Sequence, residues 1–259
     1  MKILVDDDER AARRAWEGRL RDRLRAASQL FEAQFGLGFE VVAVDAWRTE
    51  NAIDDFEAAL SEFEHAVPAE PAKLAIGFTS QYQLPHGRTH LGGTRLPLAS
   101  HILVREWSQH FSERERFEML VHELAHYLGA AHSPEPDSVM RPLLGDRQAL
   151  SKRFQVGFDP LNTLAIALVA EQVQRGDVRR LSDLPPQKIE RLCAIYATLE
   201  QTMPDDPAAP QLLGLIGGAS RVTEIRQETR VADGASSRDR STGGVANPDS
   251  AFSRPSKMK

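Results

Sequence analysis

The chain has 259 residues, 41% of them apolar, enough to bury a core in one large domain or a domain with appendages. A formal net charge of −5 argues against a nucleic-acid binder, because phosphate contacts need a basic surface. No apolar run reaches the length of a membrane span, and a single cysteine, Cys193, excludes an internal disulfide framework.

The first residues, MKILVDDDER, contain neither an apolar h-region nor a cleavage pattern, so no signal peptide is expected. Lys2 to Val5 reads as a short strand. Asp6, Asp7 and Asp8 read as a solvated acidic cluster ahead of a helix. That helix carries an apolar stripe of Trp16, Leu20, Leu24, Ala27 and Phe31 and ends near Gly36. Its many arginines read as a solvated face. Strands are expected over 39–47, 73–81 and 101–107, with a helix over 52–66 that places Ile53, Phe56, Leu60 and Phe63 on one side. The Gly- and Pro-rich stretch before His101 suits a loop with a short edge strand. Trp107 reads as core, and His65 and His110 as surface residues. A helix beginning near Ser112 puts Phe117, Leu120, Val121, Leu124 and Leu128 on one stripe. Further helices are expected from Leu161 to Arg175, closed by Gly176, and from Pro186 to Gln201. Cys193 lies inside the last and reads as a buried, inert thiol. From 204 to 259 the composition turns to Ser, Gly, Pro, Asp and Arg, which reads as a disordered tail. One domain is therefore expected over 1–203, with its core in 2–145 and C-terminal helices in 155–203.

The chemistry concentrates in HELAHYLGAAH, residues 122–132. On a helix His122 and His126 lie one turn apart, and their imidazoles can bind a single zinc. Glu123 stands beside the first ligand and can reach a water without ligating the metal itself. On a straight helix His132 would lie roughly 9 Å beyond His126 and on another face. It can join the site only if the helix stops and the chain turns back, and Gly129 stands where that turn is needed. Three nitrogens leave a fourth zinc position open, the arrangement of a catalytic site, where the pKa of water falls towards about 7. Glu123 would accept the proton of that water and pass it to a leaving amine. Hydrolysis of a peptide bond is the reaction these residues equip best.

HExxHxxGxxH followed by a methionine-bearing turn, here SPEPDSVMRP (133–142) with Met140, resembles the signature of the metzincin zinc peptidases. The serine after the third histidine and the Met-x-Pro turn look most like the matrixin branch. The resemblance implies an α/β (α+β) catalytic domain: a twisted, mostly parallel sheet with an antiparallel edge strand, a long active-site helix and C-terminal helices. It implies that Met140 forms a floor beneath the metal, and that a protein or peptide substrate lies extended along the edge strand. That strand is expected within Leu91 to Leu98, at Gly92, Gly93, Thr94 and Arg95. The wall of a side-chain pocket is expected around Arg141 to Gly145. It also implies secretion or attachment to the cell envelope.

The chain departs from matrixins in offering no Asp or Glu from Lys73 to Arg105, so no calcium site is expected there. His86, His90 and His101 could hold a second, structural zinc, but one catalytic ion is the expectation. The combined expectation is a zinc endopeptidase with His122, His126 and His132 as ligands, Glu123 as general base and acid, and Gly129 and Met140 in support. The rival is a catalytically silent module of the same fold that holds zinc and grips peptides without cutting them.

Overall fold

A computed structural model describes residues 1–217 except 8, 10, 50–52, 54, 80–91, 107–110, 152–154 and 177. Five strands, β1 (Lys2–Asp6), β2 (Ala43–Trp47), β3 (Ala75–Thr79), β4 (Gly92–Gly93) and β5 (His101–Arg105), form one sheet in the order β2-β1-β3-β5-β4. β1, β2, β3 and β5 run parallel, and β4 pairs antiparallel with β5. This is the mixed, mostly parallel sheet with an antiparallel edge expected of a metzincin-like domain.

The connections explain the layers. The chain moves outward from β1 to β2 through α1 (Arg13–Phe35), then back across to β3 through α2 (Phe56–Ala66). Parallel crossovers are right-handed, so reversing direction puts the two helices on opposite faces of the sheet. On the α2 face, Leu4, Ala75 and Leu103 meet Leu60, Phe63 and Trp47. Gly77 has no side chain because a Cβ there would come within 2.9 Å of the Phe63 ring. Ile3, Ile76 and Ile102, aligned across three strands, face the other way and are fully buried.

The stripe read for α1 holds, since Trp16, Leu20, Leu24, Ala27 and Phe31 are all buried. Gly36 ends the helix in the left-handed region at φ +68°. The solvated arginine face holds only in part. Arg23 is buried, and its guanidinium donates to Glu106 at 2.5 and 3.0 Å and to Glu113 at 2.8 Å. Two acids that arrive more than eighty residues later draw it inward, which a local charge pattern cannot reveal. The acidic cluster differs too: Asp6 is buried as the last residue of β1, and Asp7 accepts hydrogen bonds from Thr49. Asp8 lies outside the described residues. The strand expected over 39–47 is confined to Ala43–Trp47, while Phe39 packs edge-on against Phe31.

After β5 come α3 (Glu113–Tyr127), α4 (Pro160–Arg175), α5 (Pro186–Thr202) and α6 (Ala208–Leu215). Gly176 closes α4 at φ +86°, and Cys193 is buried within α5. α6 is a correction to the tail expected from 204. It buries Ala209, Leu212, Leu213 and Ile216 and packs on α5. The run QLLGLI (211–216) carried the signal, masked by the prolines and aspartates around it. Residues 218–259 lie outside the described residues. Among the described residues no helix is long and apolar enough to cross a membrane.

Candidate metal centre

α3 begins with a capping box. The Ser112 hydroxyl accepts from the Glu115 amide at 3.3 Å, and the Glu115 carboxylate accepts from the Ser112 amide at 2.8 Å. Ten of its fifteen residues are buried, so its faces are fixed by packing on all sides. The helix stops as the sequence requires. Gly129 takes φ +82°, its amide donates to the His126 carbonyl at 3.0 Å, and the Ala130 amide donates to the Ala125 carbonyl at 2.9 Å. That paired closure is a Schellman turn, which reverses the chain towards the helix axis.

The turn brings His132 back. Its ring centroid lies 5.5 Å from that of His122 and 5.0 Å from that of His126. One ring nitrogen from each of the three histidines lies within 4.8 Å of the others. Each Nδ1 is engaged on the outer side. His122 Nδ1 donates to the Val139 carbonyl at 2.8 Å, and His126 Nδ1 donates to the Ala130 carbonyl at 2.9 Å. His132 Nδ1 meets the Asp206 carboxylate at 2.7 Å.

These partners test whether a cation fits. A carbonyl can only accept, so Nδ1 of His122 and of His126 must carry the proton. Their Nε2 atoms, 2.9 Å apart, therefore both present lone pairs. Burial pushes His122 well below its ordinary pKa and His126 down to about 4, so both rings stay neutral. Two facing lone pairs on neutral rings suit a shared metal ion, and tetrahedral zinc with bonds of about 2.0–2.1 Å needs only a small spreading of the pair. The donor set fits zinc.

Glu123 follows His122 on α3. It is buried, and its Oε2 has no hydrogen-bond partner among the described residues. Burial pushes its pKa up to about 8, and a dication on the imidazoles would pull it back down. The edge strand runs directly against it: a Cβ on Gly92 would come within 2.9 Å of the Glu123 side chain, and one on Gly93 within 2.7 Å of the Phe56 ring. Thr94 Oγ1 donates to the His101 carbonyl at 2.9 Å, and Arg95 reaches Glu64 at 2.7 Å and Glu57 at 3.0 Å.

The turn after His132 is tightly bonded. The Ser133 amide donates to the Met140 carbonyl at 2.8 Å, and Met140 is fully buried. Arg141, expected near a pocket wall, is itself buried. It donates to Glu118 on α3 at 2.6 Å and clasps Asp146 through two nitrogens. His101 is a satisfied core histidine, with Nε2 2.7 Å from the Val67 carbonyl and Nδ1 2.9 Å from the Ser100 hydroxyl. It therefore has no nitrogen to spare for a second zinc, and His86 and His90 lie outside the described residues, as do Trp107 and His110. His65 is exposed.

Sequence reasoning missed the residues that hold the returning loop. Asn162 Oδ1 accepts from the Ala131 amide at 2.9 Å, and the Tyr196 hydroxyl donates to the Gly129 carbonyl at 2.6 Å. Asp159, which caps α4, accepts from the Ser138 hydroxyl at 2.9 Å and from the Asn162 side chain at 2.8 Å. One carboxylate thus ties the methionine turn to the loop of the third histidine. The sequence reading begins this helix at Leu161, and nothing local marks Asp159, Asn162 or Tyr196 as partners of the loop.

Residues 45–162 match the family model of the matrixins, a little under half of the chain. None of the curated proteins compared with the chain matches it. Among solved structures, it is similar to archaemetzincin from Methanopyrus kandleri at 18% identity and a TM-score of 0.40, covering 68% of this chain and 94% of that one. It is also similar to a chain from a chaperone–substrate complex at 14% identity and a TM-score of 0.41, covering 67% of this chain and 35% of that one. At the level of the family, the matrixin match supports a zinc metallopeptidase.

Proposed function

We propose that the protein is a zinc-dependent endopeptidase in which His122, His126 and His132 hold one zinc and Glu123 is the general base and acid. The observation that carries this is the convergence of three imidazoles at the helix that also bears Glu123, a buried carboxylate whose Oε2 has no hydrogen-bond partner among the described residues. Zinc in that site would supply a Lewis acid that polarises the scissile carbonyl and lowers the pKa of water towards about 7. Glu123 takes the proton of the attacking water and delivers it to the departing amine. The carbonyls of Val139 and Ala130 hold two of the imidazoles in the tautomer that leaves Nε2 free.

Substrate binds as an extended strand on β4, the antiparallel edge strand of the sheet among the described residues. Backbone hydrogen bonds from a sheet edge supply affinity without regard to sequence, so selectivity falls to side-chain pockets. Gly92 lets this strand lie against Glu123, and a peptide paired along Gly92 to Arg95 would run past the base. Met140 supports the site from within its buried turn.

The test is cleavage of a mixed peptide library by the zinc-loaded chain, with Glu123→Ala beside it and products read by mass spectrometry. Cuts are expected from the wild type, with rates reduced about 10²–10⁴-fold or more in the variant while zinc stays bound. Equal cutting by both would overturn the role of Glu123. Zinc bound with no cuts by either would replace the endopeptidase with a peptide-binding module.

A further inference from the structure

We infer that Asp206 is a positioning residue of the metal centre, holding the ring of His132 in the tautomer and orientation that leave Nε2 free for the metal. The inference rests on the zinc-site reading above and goes beyond it by making the segment after α5 part of the site. The three imidazoles are not held alike. His122 and His126 donate to main-chain carbonyls of the turns beside them, whereas His132 has a carboxylate that lies 74 residues further along the chain. A carboxylate behind a ligating imidazole fixes the ring and raises its basicity, and it brings a full negative charge towards a site of three neutral ligands and a dication.

Asp206 is built to stay in place. Its Oδ2 meets His132 at 2.7 Å while its Oδ1 accepts from the Ala208 amide at 2.9 Å, at the start of α6. Its own amide donates to the Met203 carbonyl at 3.1 Å, just past the end of α5. α5 and α6 are both anchored by buried side chains, among them Leu199 on one side and Ala209, Leu212 and Leu213 on the other. The carboxylate therefore sits in a short bridge clamped at both ends. The His132 and Asp206 side chains keep only 23% and 15% of their exposure, so the contact is not an ordinary surface pair.

The experiment uses the full chain and compares wild type with Asp206→Ala and Asp206→Asn. Zinc affinity is measured by competition with a chelating dye, the visible spectrum after cobalt substitution reports ligand geometry, and thermal melting of the metal-free proteins reports folding. Asp206→Ala should weaken zinc binding about 10–100-fold and alter the cobalt bands. Asp206→Asn keeps an acceptor oxygen but no charge, so its affinity should fall between the two. It should melt close to wild type, which separates positioning from a general loss of structure; should Asp206→Ala fail to fold, Asp206→Asn decides. Zinc affinities within about twofold of wild type, with an unchanged cobalt spectrum, would overturn the inference alone. A wild type that binds no zinc would overturn the metal site as well.

Discussion

α3 and the loop that follows it hold the three imidazoles of the proposed zinc site by different means. His122 and His126 ride on a helix whose geometry sets them one turn apart, and each ring is fixed by one main-chain carbonyl, that of Val139 on the methionine turn or of Ala130 just past the helix. His132 lies past the end of that helix, where no regular structure holds it. Its loop is fastened instead at Gly129 by Tyr196, at Ala131 by Asn162 and at His132 by Asp206, one residue from each of three later segments. Ligands on a regular element are positioned by the element. A ligand on a return must be positioned by the rest of the domain.

The largest expected effect is the acid sensitivity of the helix-borne pair. His122 and His126 are held neutral by burial, with His126 at about 4, against an ordinary 6.5. The unfolded chain therefore takes up protons that the folded chain refuses, and stability falls as the pH drops. The contribution is whole above about 6.5 and is lost progressively towards about 4. The urea midpoint of the metal-free protein should decline across that window, and the decline should shrink in His126→Gln. A profile as steep in the variant as in the wild type would mean the helix-borne pair does not carry it.

Next in size is the turn. Gly129 and Gly176 both sit in the left-handed region, at φ +82° and +86°. Alanine at either position costs about 1–2 kcal/mol of backbone strain. Only at Gly129 would the new Cβ meet neighbours, the Tyr196 hydroxyl at 3.1 Å and Val169 at 3.3 Å, whereas Gly176 has open space around it. Both variants should melt earlier, but only Gly129→Ala should bind zinc more weakly. Equal zinc affinities would break the link between the turn and the metal. The smallest effect is expected from Tyr196→Phe, which removes one buried hydrogen bond worth about 1 kcal/mol and should lower the melting temperature by a few degrees with a slight loss of zinc affinity.

The same contrast sorts what the sequence discloses. The stripe of α1, the glycine stops of α1, α3 and α4, and the cluster of three histidines were legible, because each is written in spacings of a few residues. β4 was legible from composition as a Gly- and Pro-rich edge and was expected from the resemblance at Gly92 to Arg95, of which Gly92 and Gly93 form the strand; these glycines are explained by Glu123 and Phe56 pressing on either side. Asp206, Asn162 and Tyr196 were not legible, since nothing near them in the chain marks an aspartate, an asparagine or a tyrosine as the partner of a loop 31 to 74 residues away. Arg23 misled for the same reason, because its acids lie 83 and 90 residues away. α6 was hidden by composition, where a short apolar run stands among residues typical of tails.

The most direct measurement is zinc titration of the full chain beside His132→Ala, with stoichiometry and affinity determined for both. The account predicts one zinc per wild-type chain and a loss of affinity in the variant larger than the roughly 10–100-fold expected from removing an outer partner. A variant that binds zinc as tightly as the wild type, at the same stoichiometry, would show that the returning loop does not serve the metal and would contradict the account at its centre.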